Sequence, residues 1–151
     1  MIIDVTNKMN PVPLMEGYID INNRNRLKIP FVSGVCVHSI EGDNIPHFHI
    51  ERDGRKDVCV RLDINEFFNH GAKDETLNAK DSRTLCEWLN KPNLKYRTPE
   101  GIPYYNNWKV LADMWNSHGT TKVDFGKMPD YSIIYPYKYF ENKNKGVRFH
   151  E

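Results

Sequence analysis

The stretch Ile45-Pro46-His47-Phe48-His49-Ile50-Glu51-Arg52, then Asp53-Gly54-Arg55, then Lys56-Asp57-Val58-Cys59-Val60-Arg61-Leu62, decides the fold. Apolar residues alternate with polar ones on both sides of an Asp-Gly pair, which is the signature of a β-hairpin. A two-residue loop pairs Arg52 with Arg55, His49 with Val58 and His47 with Val60. A three-residue loop, Asp53-Gly54-Arg55, pairs Arg52 with Lys56, Ile50 with Val58 and Phe48 with Val60. One residue of slip turns every side chain to the opposite face. Only the three-residue loop collects Phe48, Ile50, Val58, Val60 and Leu62 on one apolar face and leaves His47, His49 and Glu51 together on the other. It is therefore the expected register, although it sets Glu51 opposite Asp57, a repulsive pair.

Working outward, Val32–His38 is a continuous apolar and β-branched run, the pattern of a buried strand. Tyr18–Ile21 and Arg26–Phe31 alternate and read as strands, separated by an Asn22–Asn25 turn. Glu41–Asn44 is a second turn signal. Beyond residue 70 the periodicity changes. Asn78–Leu89 reads as a helix stopped by Lys91-Pro92-Asn93, because proline cannot continue a helix. A loop with Pro99, Gly101 and Pro103 follows. In Asn107–His118, Trp108, Leu111, Ala112 and Trp115 fall at i, i+3, i+4 and i+7, the stripe of a buried helix face, and Gly119 suits the C-cap. Tyr131–Tyr135 reads as a last strand, before Pro136 and the aromatics Tyr137, Tyr139 and Phe140. Strands grouped before helices indicate an α+β fold. The expectation is a small antiparallel sheet of four to six strands with two main helices on one face. It forms a single domain over 1–151: a sheet-forming part at 18–68, a helical part at 78–118 and an aromatic strand and tail at 119–151.

With 151 residues, 39% of them hydrophobic and 12% aromatic, the chain has enough apolar material for one core and is not of disordered composition. A formal net charge of +1 provides no long-range field towards nucleic acid or acidic membranes. Cys36, Cys59 and Cys86 are odd in number, dispersed and in no C-x-x-C spacing. That argues against a disulfide framework or a cysteine-based zinc site and for reduced thiols in a cytoplasm. Cys36 and Cys59 lie in apolar runs and read as small core residues. The start, Met1-Ile2-Ile3-Asp4, is unlike a signal peptide, and no run approaches the roughly 20 apolar residues that cross a bilayer.

Residues i, i+2 and i+4 of a strand face one way at about 6.7 Å intervals. His47, His49 and Glu51 can thus converge on one divalent metal ion, and His38, ending the preceding strand, is a fourth candidate. Two histidines and a carboxylate are the donor set of catalytic zinc and non-haem iron sites, which points to a metal-dependent hydrolase or nuclease. Neutral histidine also packs well against aromatics and prolines, so the same pair serves equally as structure or as partner surface. Arg24, Arg26 and Lys28 alternate along a predicted strand, and Lys143, Lys145 and Arg148 follow the aromatics of the tail. These two sets are candidates for contact with a partner or with phosphates. No phosphate-binding loop, G-x-G-x-x-G, G-x-S-x-G or H-E-x-x-H motif is present.

From Ser33-Gly34-Val35 through Pro46-His47-Phe48-His49-Ile50-Glu51 to Leu62-Asp63-Ile64, the sequence resembles a small bacterial family known as domain of unknown function 4160. The Pro-His-x-His strand is the core of the likeness. Glu87–Asn90 and Leu111–Trp115 resemble the two parts of that family's helical segment. The resemblance implies a partner-binding module, a component of a toxin–antitoxin-like operon, that associates with a protein partner, with a second copy or with nucleic acid.

Overall fold

Strong β-formers separated by short turns produce a meander. In the computed structural model the described residues are 17–19, 26–38, 44–69, 76–93, 95–98, 100–117 and 121–144. Five antiparallel strands lie in chain order: β1 (Gly17–Ile19), β2 (Val32–Val37), β3 (His47–Arg52), β4 (Arg55–Arg61) and β5 (Phe67–Phe68). Ile19 pairs with Val35, Val35 with Ile50 and Ile50 with Val58. Beside them Phe48 pairs with Val60 and Val60 with Phe67. Directly opposed residues share a face, so these side chains form one apolar surface. Val35, Phe48, Ile50, Val58 and Val60 are fully buried there.

The hairpin combines both loop alternatives. Its turn holds Asp53 and Gly54 alone, with Arg52 opposite Arg55, yet Ile50 faces Val58 and Phe48 faces Val60. The extra residue of β4 is absorbed by a shift of register between Ile50 and Arg52. Gly54 takes φ +67°, which glycine adopts freely and which lets the turn close in two residues. Burial of the valines fixes the strand bodies, and the bulge reconciles the two. Lys56 and Asp57 then stand together against Glu51, two residues against one. The β2–β3 pair has its own shift: Val32 faces Arg52 and Gly34 faces Glu51, while Ser33 Oγ donates to the Glu51 carbonyl at 3.3 Å.

Each of the two main helices begins at a capping asparagine, and the second ends with Ser117 as its C-cap; Gly119, the expected C-cap, lies outside the described residues. The Asn78 side chain accepts from the Asp81 amide at the start of α1 (Ala79–Asn90), and that of Asn106 from the Lys109 amide at the start of α2 (Asn107–Asn116). Leu85 and Leu89 from α1 join Trp108, Leu111, Met114 and Trp115 from α2 in one core with the apolar face of the sheet. Trp108 Nε1 donates to the Leu62 carbonyl at 3.0 Å, tying α2 to the end of β4. A buried amide pair closes the loop between the helices. Asn93 Nδ2 donates to Asn107 Oδ1 at 2.7 Å, Asn107 Nδ2 to the Trp88 carbonyl at 2.7 Å, and Asn93 Oδ1 accepts from the Lys95 and Tyr96 amides. No helix among the described residues is long and apolar enough to cross a membrane.

Two expected strands are absent. Over 26–31 the burial alternates, with Leu27 and Ile29 inside, but the backbone turns at Pro30-Phe31, and Phe31 has φ 68°. Pro30 has no N–H to offer a ladder, and the Val32 amide bonds back to the Ile29 carbonyl. Over Tyr131–Tyr135 the chain bends because the Asn65 side chain donates to the carbonyls of both Asp130 and Ile133, at 3.0 and 2.9 Å. A single parallel bridge, Tyr135 to Glu66, remains. The short helix α3 (Tyr139–Asn144) follows. The buried Glu66 carboxylate accepts from the Lys138 and Phe140 amides at its start, where a helix leaves donors unused. Residues 20–25 and 145–151 lie outside the described residues.

Two outcomes follow from this packing. Burial, and then the charges of Asp130 and Glu87, push the Cys86 thiol up from 9.0 to about 11, and burial raises the phenols of Tyr131 and Tyr104. The folded chain therefore keeps protons that the unfolded chain releases. Urea midpoints should stay level up to about pH 9 and fall steadily as the pH rises through 11. Asn93→Ala removes the donor to Asn107 Oδ1 and the side-chain acceptor of the Lys95 and Tyr96 amides, and should lower the unfolding free energy by about 1–3 kcal/mol in the same titration.

Candidate metal centre on the histidine face

The other face of the sheet is built from the residues between the core positions. One rung runs from Cys36 on β2 to His49 on β3, Cys59 on β4 and Phe68 on β5. Cys36, His49 and Cys59 are buried, at 1%, 5% and 6% exposure. His38 follows the end of β2, and its ring lies 4.0 Å from that of His49, tilted by 30°. His47 begins β3 with its ring centroid 5.1 Å from that of His49. Three imidazoles and two thiols thus share one surface.

Carboxylates complete the set, and the bulge decides where they go. Asp57 Oδ2 lies 3.3 Å from His49 Nδ1, and Cys59 Sγ lies 3.3 Å from the same nitrogen. The donor atoms of His38, His49 and Asp57 all fall within 4.8 Å of one another, and so do those of Cys36, His38 and Glu51. Zinc bonds of about 2.0–2.3 Å at tetrahedral angles place neighbouring donors roughly 3.3–3.6 Å apart, so the 3.3 Å His49–Asp57 contact has the edge length of a zinc tetrahedron. The side chain of His49 is 7% exposed and that of Asp57 37%, so the cluster is closed at the imidazole and open to solvent at the carboxylate. A Cys-His-Asp relay is not what the geometry makes. Thiol and carboxylate both meet Nδ1, whereas a relay needs one partner on each ring nitrogen.

Of the four expected ligands, His38 meets His49 in one donor set and Glu51 in the other, and neither set holds both His49 and Glu51. His47 belongs to neither donor cluster. Its Nδ1–H donates to the Ile45 carbonyl at 2.7 Å, and its ring packs 4.9 Å from Phe68 and 5.6 Å from Trp115. It lies opposite Arg61 at the strand's first position, where the aromatic core closes over it. Asp57 and Cys36 are the members of the donor sets that sequence reasoning left out, and Cys59 is a further neighbour of His49. The alternation that sends Val58 and Val60 inward already sends Asp57 and Cys59 to the histidine face, and Cys36 and Cys59 are buried, as their apolar runs imply. Among the basic candidates, Arg26 and Lys28 are exposed but on irregular chain. Lys143 is exposed on α3, its Nζ 5.8 Å from the Tyr139 ring centroid. Arg24, Lys145 and Arg148 lie outside the described residues.

Compared with protein-family models, with curated proteins and with solved structures, the chain matches none.

The division of labour between the histidines is measurable. His47→Ala should cost roughly 2–4 kcal/mol of stability, as loss of a buried ring does, while His38→Ala should cost less than about 1 kcal/mol. Equal losses in chemical denaturation would contradict this assignment.

Proposed function

We propose that the protein binds a divalent transition-metal ion through His38, His49 and Asp57 and uses it as a hydrolase. The observation that carries this reading is the convergence of those donors on one sheet face with a solvent-open carboxylate side. Two imidazoles and a carboxylate form the donor set of hydrolytic zinc sites, which keep a position for water. When bound, the ion supplies a Lewis acid and brings the pKa of that water towards ~7. His49 is the fixed member, because the rung between Cys36 and Cys59 holds it in place. Asp57 is the adaptable one, on the bulged stretch of β4 at the edge of the site.

Zinc should raise the melting temperature of metal-free protein. At free zinc one hundred times Kd the gain is about 2.7 kcal/mol. A chelator should reverse it, and Asp57→Asn and His49→Ala should abolish it. Hydrolysis of a nitrophenyl phosphodiester or ester should appear only with metal and disappear in Asp57→Asn. Unchanged melting in both zinc and chelator would exclude the reading.

A second reading, a partner-binding module of the toxin–antitoxin-like kind, draws on a different surface. Ile102, Tyr105 and Phe125 are exposed at 59%, 80% and 41%, and they flank a groove of about 420 Å³ that also includes Pro103 and Lys109. Grouped exposed apolar side chains are the usual mark of a protein interface. Under this reading Tyr105→Asp leaves stability unchanged but abolishes association, with itself or a co-expressed partner, in sedimentation.

A further inference from the structure

The carboxylate of Glu51 and the thiol of Cys36 have no part in the site just described, yet both reach its central histidine. Cys36 and His38 alternate at the end of β2, Glu51 comes from β3 opposite Gly34, and their three donor atoms lie within 4.8 Å of one another. His38 therefore belongs to two donor sets, His49/Asp57 and Cys36/Glu51. An imidazole has a donor nitrogen on either side of its ring and can join two ions when both are deprotonated.

Building on the reading of a metal ion at His38, His49 and Asp57, we infer that the face holds a second divalent ion on Cys36, His38 and Glu51, with His38 as the shared ligand. Charge favours the pair. The Cys36 thiolate, the carboxylates of Glu51 and Asp57 and a deprotonated His38 ring neutralise two doubly charged ions. Filling both positions releases the thiol proton of Cys36 and the remaining ring proton of His38 to solvent. The thiolate also sets the class of metal. Sulfur and imidazole donors select zinc, cobalt or copper, whereas magnesium, calcium and manganese prefer oxygen. Cys36 and Cys59 do not form a disulfide that would withdraw Cys36. They flank His49 from opposite sides, so their α-carbons lie about two strand spacings apart, roughly 9–10 Å, beyond disulfide reach.

Cobalt(II) titration of metal-free, reduced protein tests this, because a thiolate ligand gives an intense near-ultraviolet charge-transfer band that nitrogen and oxygen donors do not. The expected result is saturation at two equivalents per chain. The band should appear in the wild type and be absent in Cys36→Ser, which should retain one equivalent. Glu51→Gln, at a half-buried position, is the second variant, in case the buried Cys36→Ser fails to fold. It should also reduce the stoichiometry to one. Saturation at one equivalent, with or without the band, overturns the second position. One equivalent without the band leaves the first site standing, and absence of any cobalt binding removes both.

Discussion

The register of β3 against β4 is the constraint on which the rest of the structure depends. β3 is the middle strand of five, so its alternation sets the faces of all the others. If Ile50 faced anything but Val58, the valines that contact the helices would lie with the histidines, and neither surface would exist. The two-residue turn at Asp53-Gly54 would impose that wrong pairing. The bulge beside it adds the one residue needed to bring the apolar set back into line. Beside the same irregularity, the Asp57 carboxylate lies with His38 and His49, and the Glu51 carboxylate with Cys36 and His38. A defect in the ladder thus serves the core and the polar face together.

The polar face has an energetic peculiarity. Imidazoles and thiols at 1–6% exposure give up hydration, which is costly unless other partners replace it. His47 is held by a carbonyl and by aromatic faces, while His49 meets a carboxylate and a thiol at one nitrogen. Such a buried face of imidazoles and thiols differs from the solvated outer face usual for a sheet of this size.

Much of this was legible in the sequence, for physical reasons that differ by element. The stripe of Trp108, Leu111, Ala112 and Trp115 is local, so its period alone shows the helix and its buried side. The hairpin was legible in its faces, because burial of Phe48, Ile50, Val58 and Val60 leaves one solution. The bulge was not, since it follows from a turn and a core that demand different registers. Strand β5 is two residues long and exists through its pairing with Cys59 and Val60, which no local pattern encodes. The bend at Tyr131–Tyr135 depends on the amide of Asn65, more than sixty residues earlier. For the histidine face, the shared side of His49 and Glu51 on β3 could be read from alternation. His47 could not be set apart from them, because the ring of Trp115 that claims it comes from the distant helix α2.

The buried pair Asn93–Asn107 has a consequence beyond closing a loop. It fastens the connection between α1 and α2 at both ends, and Arg97 bridges Pro103 while the Thr98 amide bonds the Ile102 carbonyl. The exposed Ile102 and Tyr105 are thus carried on a segment whose backbone conformation is already set. Ordering a free loop on association consumes conformational entropy that must come out of the affinity. Here that loss is taken during folding, so a partner of the kind proposed for this face would meet a preorganised surface. Its affinity would then depend on shape and desolvation, with little left over for taming the loop.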